Sequence, residues 1–101
     1  MMEIRTDGST LVLTGDLDVR TTGELRAAVY RMIARHDVVV VDCSAVTSID
    51  LVALRVLAVA TRAAARRGHH VRLRACGPAV RRFLAVSRLR PVLELERVPA
   101  A

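Results

Sequence analysis

Val38-Val39-Val40-Val41, closed by Asp42, and Asp50-Leu51-Val52-Ala53-Leu54-Arg55, which opens a segment running to Arg67-Gly68, carry the two patterns on which the architecture turns. Four β-branched residues in a row are too few for a helix and too uniform for a half-exposed strand. They predict a central strand buried on both faces. Asp50 offers a carboxylate to cap the next element, and Leu51–Arg67 is rich in Leu, Ala and Arg. Gly68 supplies the left-handed residue that ends a helix. The first half of this helix is apolar around most of its circumference and is expected to be largely covered.

Upstream, Met2, Ile4 and Thr6 alternate with Glu3, Arg5 and Asp7. The chain then turns at Gly8-Ser9 into Thr10–Thr14, a pattern that predicts a hairpin. After Gly15, Thr21 or Thr22 offers a cap hydroxyl to a helix whose Leu25, Ala28, Val29, Met32 and Ile33 share one face and which ends near His36. Downstream, His69–Ala75 and Val92–Glu96 read as strands with one polar face. If these two strands are neighbours, Arg72 and Arg74 can pair with Glu94 and Glu96 across that face, each exposed pair contributing at most ~1 kcal/mol. Between these strands, Gly77-Pro78 starts a helix through Val80, Phe83, Leu84 and Val86. The order β-β-α-β-α-β-α-β predicts an α/β fold with a mostly parallel sheet of four to five strands, an N-terminal antiparallel hairpin strand and three main helices. One domain is expected over residues 1–97, with a frayed tail at 98–101.

The chain has 101 residues, of which 52% are hydrophobic and 2% aromatic. That is enough for one core without disulfides or a metal. All 16 basic residues are Arg, and the net charge is +6. Residues 1–54 hold five Arg against eight acids, whereas residues 55–101 hold eleven against two. The second half is therefore a cationic surface, open to an acidic protein, nucleic acid or anionic lipid, or simply a solvated face. Nucleic acid is the weaker reading, because Tyr30 and Phe83 are the only rings and both fall on apolar helical faces. The start Met1–Arg5 has no apolar signal stretch, and Leu51–Ala60 falls short of the ~20 residues that span a bilayer. A cytoplasmic protein with reduced thiols and no membrane insertion is expected.

Four segments together resemble the STAS domain family. They are Gly15-Asp16-Leu17-Asp18, Val38–Asp42 followed by Val46-Thr47-Ser48-Ile49-Asp50, Gly68 after the long helix, and Gly77–Leu84. The resemblance spans nearly the whole chain. It implies a protein-contact module of the anti-sigma-factor antagonist type, with no catalytic residues, no cofactor and no metal. The implied partner is an anti-sigma factor with a kinase-like fold, or another protein, and a homodimer stays open. The implied contact surface is Asp16, Asp18, Thr47, Ser48, Asp50, Leu51, Val52 and Arg55. In the family, phosphorylation of a Ser or Thr just after the residue matched by Asp50 ends binding.

The sequence departs from the family there. The pattern Asp-Ser-Ser/Thr-Gly reads Asp50-Leu51-Val52-Ala53. Neither Leu51 nor Val52 carries a hydroxyl, so the usual phosphoacceptor is absent. Ser44, Thr47 and Ser48 are substitutes by position, although Thr47 and Ser48 are better suited to capping the helix or satisfying loop amides. Two readings follow: an antagonist locked in its binding form, or a scaffold subunit on a transporter ATPase or signalling assembly. Exposed Leu and Val at a helix entrance suit both, since desolvating each contributes ~1.5–3 kcal/mol on a partner surface; the alternative is that the two side chains are simply core.

Asp50 is first of all an N-cap, with partner contact added. Asp16 and Asp18 either make turn hydrogen bonds or stand at the partner surface. Cys43 and Cys76 end the third and fourth strands toward one edge. They are either small buried apolar residues or a redox pair, which needs Cα atoms within ~7 Å. His69-His70 and His36 lack a third metal ligand, and no nucleophile-base constellation stands at chemical spacing.

Overall fold

The computed structural model describes residues 2–96. Five strands form one sheet in the order β1-β2-β3-β4-β5: β1 (Glu3–Asp7), β2 (Thr10–Leu17), β3 (Val38–Ile49), β4 (His70–Arg74) and β5 (Glu94–Leu95). β1 is antiparallel to β2, and every later pairing is parallel. Helices α1 (Thr22–Arg35), α2 (Leu51–Arg66) and α3 (Pro78–Ser87) make the crossovers. This is the α/β architecture that the order of elements predicts. The tail at 98–101 and the domain limit at 97 lie outside the described residues.

β3 is the central strand, but only one of its faces is covered. Leu11, Val41 and Leu73 stand in one row across β2, β3 and β4 and are fully buried, with Leu95 continuing the row in β5. Their neighbours Val12, Val40 and Arg72 point the other way and stay half-exposed. All three helices contribute to a single core on the buried side. Val38 is 37% exposed, which corrects the expectation of a strand buried on both faces. A β-branched run satisfies the strand backbone whether one or both faces are covered, so composition does not distinguish them.

β3 also runs much further than the valine run, through Cys43 to Ile49, so Cys43 lies inside the strand instead of at its end. β5 is only two residues long, and Val92 belongs to a 3-10 turn over Arg90–Val92. The expected pairing across β4 and β5 is replaced by two other contacts. Arg74 donates to Asp42 of β3 at 3.3 Å, and Glu94 takes the His70 ring at 2.9 Å although Arg72 is its register partner.

α2 ends as its sequence predicts. Gly68 adopts φ +74°, the Gly68 amide donates to Ala65 and the His69 amide donates to Ala64, the paired contacts that close a helix on a left-handed residue. α1 buries Leu25, Ala28, Val29, Met32 and Ile33, the five residues of its predicted face. Its cap differs from expectation: Thr21 makes no side-chain cap to α1, and both threonine hydroxyls serve the 3-10 turn Val19–Thr21 that precedes the helix. Tyr30 is 38% exposed on α1, so it does not lie on the apolar face expected for it.

Candidate functional site

The carboxyl ends of the parallel strands β2 and β3 converge on the first turn of α2. The local chain path is irregular. Gly15 takes φ +92°, and the register shifts from Gly15 opposite Val46 to Asp16 opposite Ser48. Thr47 is therefore an extra residue, a bulge that re-aims its side chain. In a regular strand Thr47 and Ser48 would face opposite sides. Here both hydroxyls donate to Asp16 Oδ1, at 2.6 and 2.7 Å.

These two bonds, the Thr47 bond foremost, hold the Asp16 carboxyl below its usual pKa. Thr47 and Ser48 thus neither cap α2 nor satisfy loop amides, as the sequence suggested; their protons are committed to Asp16. Asp18 accepts from the Arg20 amide at 2.9 Å and pairs with the Arg20 guanidinium at 2.7 Å. That hydrogen bonding lowers its pKa in turn. The Thr21 hydroxyl receives the Asp18 amide, which completes a capping box for the 3-10 turn.

Asp50 performs two tasks. Its Oδ1 accepts from the Ala53 amide at 2.9 Å, the N-cap contact expected for α2, and its Oδ2 accepts from the Val19 amide at 3.0 Å. The Asp50 amide donates to Leu17 of β2 at 3.0 Å. One residue therefore fixes the end of β2, the turn after it and the start of α2 relative to each other. Leu51 is half-buried, Val52 is 44% exposed and Arg55 is exposed on the same helix. Val19, 62% exposed, joins this surface through Asp50. Sequence reading missed Val19, because the contact that brings it here spans 31 residues.

Ser44 is exposed on β3, with its amide held by Asp42 at 2.8 Å. His69 spends its ring on the Ile33 carbonyl and Asp37. A cleft of about 580 Å³ lies apart from this site, between β1 and α1, lined by Ile4, Thr6, Glu24, Arg31, Arg35 and His36 among others. Among the described residues, no group of three or more His, Cys, Asp or Glu is placed to hold a metal ion, and no helix is long and apolar enough to cross a membrane.

The family model described as "Mlab, STAS domain" matches residues 1–94. The chain belongs to the STAS domain family. Three solved structures place this STAS domain among its kind. A candidate anti-sigma factor antagonist from Thermotoga maritima shares 16% identity and superposes with a TM-score of 0.77, over 97% of this chain and 87% of that one. An anti-sigma factor antagonist from Mycobacterium paratuberculosis shares 23%, with a TM-score of 0.71 over 98% and 86%. The anti-sigma factor antagonist SpoIIAA in its unphosphorylated form shares 17%, with a TM-score of 0.72 over 96% and 89%. No curated protein matches the chain significantly. The fold is that of STAS domains resembling anti-sigma factor antagonists.

Proposed function

We propose that this STAS domain acts by binding and not by catalysis, as an anti-sigma factor antagonist whose docking face is the entrance to α2. The observation that carries the reading is the uncharged pair of half-buried Leu51 and exposed Val52, set at a helix N-terminus that Asp50 already caps. Because the cap satisfies the first-turn amide, the entrance needs no anion from a partner. It offers apolar area instead, worth ~1.5–3 kcal/mol per side chain once covered. The end of β2 at Gly15–Asp18 and the end of β3 at Thr47–Asp50 border that area, rigidified by the Asp16 and Asp50 contacts.

The partner that fits best is an anti-sigma factor with a kinase-like fold. The phosphorylation switch is lost in this reading, because positions 51 and 52 have no hydroxyl to phosphorylate. Thr47 and Ser48 are poor substitutes, since each already donates its proton to Asp16. The test combines the protein with an anti-sigma kinase and ATP. Complex formation without a gain of about 80 Da in intact mass supports the reading, whereas an adduct overturns the loss of the switch.

The missing hydroxyls also favour a second reading, a non-switching scaffold subunit of a transporter ATPase or signalling assembly. What co-purifies with the tagged chain from its native cells separates the two readings. An anti-sigma factor that is lost with Val52→Glu supports the first, and a transporter ATPase lost in the same way supports the second.

A further inference from the structure

Cys43 and Cys76 are both free and buried; Cys43 lies within β3, and Cys76 lies two residues past the end of the neighbouring parallel strand β4 instead of ending it. The register pairs Val41 with Leu73 and Asp42 with Arg74, so Cys43 faces the position of Ala75. Strict alternation after buried Leu73 and half-exposed Arg74 would turn Ala75 inward and Cys76 outward. The chain does the reverse. Ala75 adopts φ +59°, a left-handed conformation unfavourable for a residue with a Cβ, and is exposed, while Cys76 is only 8% exposed. The backbone kink therefore brings Cys76 onto the face that Cys43 already occupies. Neighbouring parallel strands lie ~4.8 Å apart, within the ~4.4–6.8 Å between Cα atoms that a disulfide takes, so the end of β4 leaves Cys76 beside the strand that carries Cys43.

We propose that Cys43 and Cys76 are a reversible dithiol–disulfide site, oxidised by a peroxide and reopened by a thiol reductant. Cys76 is the attacking residue. It immediately precedes the first turn of α3, and its carbonyl accepts from Arg81 Nε at 2.8 Å. Hydrogen bonding from Cys43, aided by the charges of Arg81 and Arg90, lowers the Cys76 thiol below its usual pKa despite burial. The same two arginines line a cleft of about 250 Å³ between α3 and β5. Cys43 is held as the thiol, its pKa pushed up by hydrogen bonding to Cys76 and then by burial.

The Cys76 thiolate attacks one peroxide oxygen, the O–O bond breaks and hydroxide leaves, which takes up the proton released by the thiol to become water. The Cys43 sulfur then attacks the resulting sulfenic acid. An S–S bond forms, the S–O bond breaks, and the departing hydroxide takes the Cys43 proton as a second water. Two thiols lose two electrons and the peroxide gains them. The bridge closes a loop that contains all of α2, joining β3 to the start of α3.

The full native chain is treated with hydrogen peroxide and then alkylated in denaturant. The expected result is a loss of about 2 Da, no alkylation, and recovery of two alkylatable thiols after reduction. The bridge should form faster in the native protein than in urea and should raise the unfolding midpoint until it is reduced. In Cys43→Ser or Cys43→Ala, dimedone should label Cys76; in Cys76→Ser, Cys43 should stay unlabelled. Two free thiols after peroxide, a covalent dimer, or bridging no faster in the folded state than in urea would each overturn the site, and labelling of Cys43 in preference to Cys76 would overturn the assigned order of attack.

Discussion

Asp50 Oδ2 stands 3.0 Å from the Val19 amide, 31 residues earlier in the chain. The other oxygen of the same carboxylate caps Ala53 at 2.9 Å. The turn after β2 and the first turn of α2 therefore share one anchor, and the exposed Val19 is fixed beside the helix entrance. A docking face made of two separate chain segments needs such an anchor, because ordering them only on binding would cost the partner affinity.

Asp50→Ala removes both contacts at once. A lost N-cap costs ~1 kcal/mol, and the Val19 amide loses its acceptor as well, so the expected destabilisation is about 2 kcal/mol. Asp50→Asn, whose amide oxygen can still accept one bond, should recover part of this. Urea denaturation followed by far-ultraviolet circular dichroism measures both; equal midpoints for wild type and Asp50→Ala would mean that the anchor contributes nothing.

Asp16 makes stability depend on pH in a definite direction. Its folded-state pKa lies below the ordinary 3.8, held down by the Thr47 and Ser48 hydroxyls. The contribution of a depressed carboxylate is fully present above its unfolded value and is lost as the pH falls through that value to the folded one. The acid limb of stability, from about pH 4 downward, should therefore be shallower in Asp16→Asn than in wild type. Denaturation midpoints compared at pH 6 and along the acid limb test this. Parallel limbs would show that the carboxylate charge plays no part.

Much of this architecture is readable from local residues, because each signal has a local cause. Gly68 ends α2 through its own φ, and Asp50 caps α2 through an amide three residues away. The helical face of α1 follows from spacing alone. What escapes sequence reading is set by distant neighbours. Val38 and Val40 report strand but not how many helical layers cover them. Arg74 turns to Asp42 and not toward β5 because β5 has only two paired residues. The convergence of Thr47 and Ser48 on Asp16 depends on a bulge that no composition announces.

Val52→Glu separates binding from folding. The side chain is 44% exposed, so the substitution leaves the core intact, and an anion in the first turn of a helix is favourable to the dipole. Stability should change by no more than about 0.5 kcal/mol. Placing a charge in the centre of a desolvated contact should weaken partner affinity at least ~10-fold. Calorimetric titration against the co-purifying partner reads the second quantity, and unchanged affinity would remove Val52 from the interface.

Leu51→Ser tests whether the switch has been lost through a single side chain. Leu51 is the first residue of α2 and half-buried, so a serine there places a hydroxyl at the helix entrance next to the Asp50 cap. If the partner is a kinase-like anti-sigma factor, this variant should bind it in the absence of ATP. In its presence it should gain about 80 Da and dissociate, since a phosphate adds up to two negative charges to a surface that had been packed against apolar groups. The truncation loses the covered part of a half-buried leucine, at a cost of about 1–2 kcal/mol that denaturation can measure separately. Phosphorylation without dissociation would show that the entrance is accessible to the kinase but is not the docking face. Binding without phosphorylation would point instead to a partner that lacks kinase chemistry, the outcome expected of a scaffold subunit.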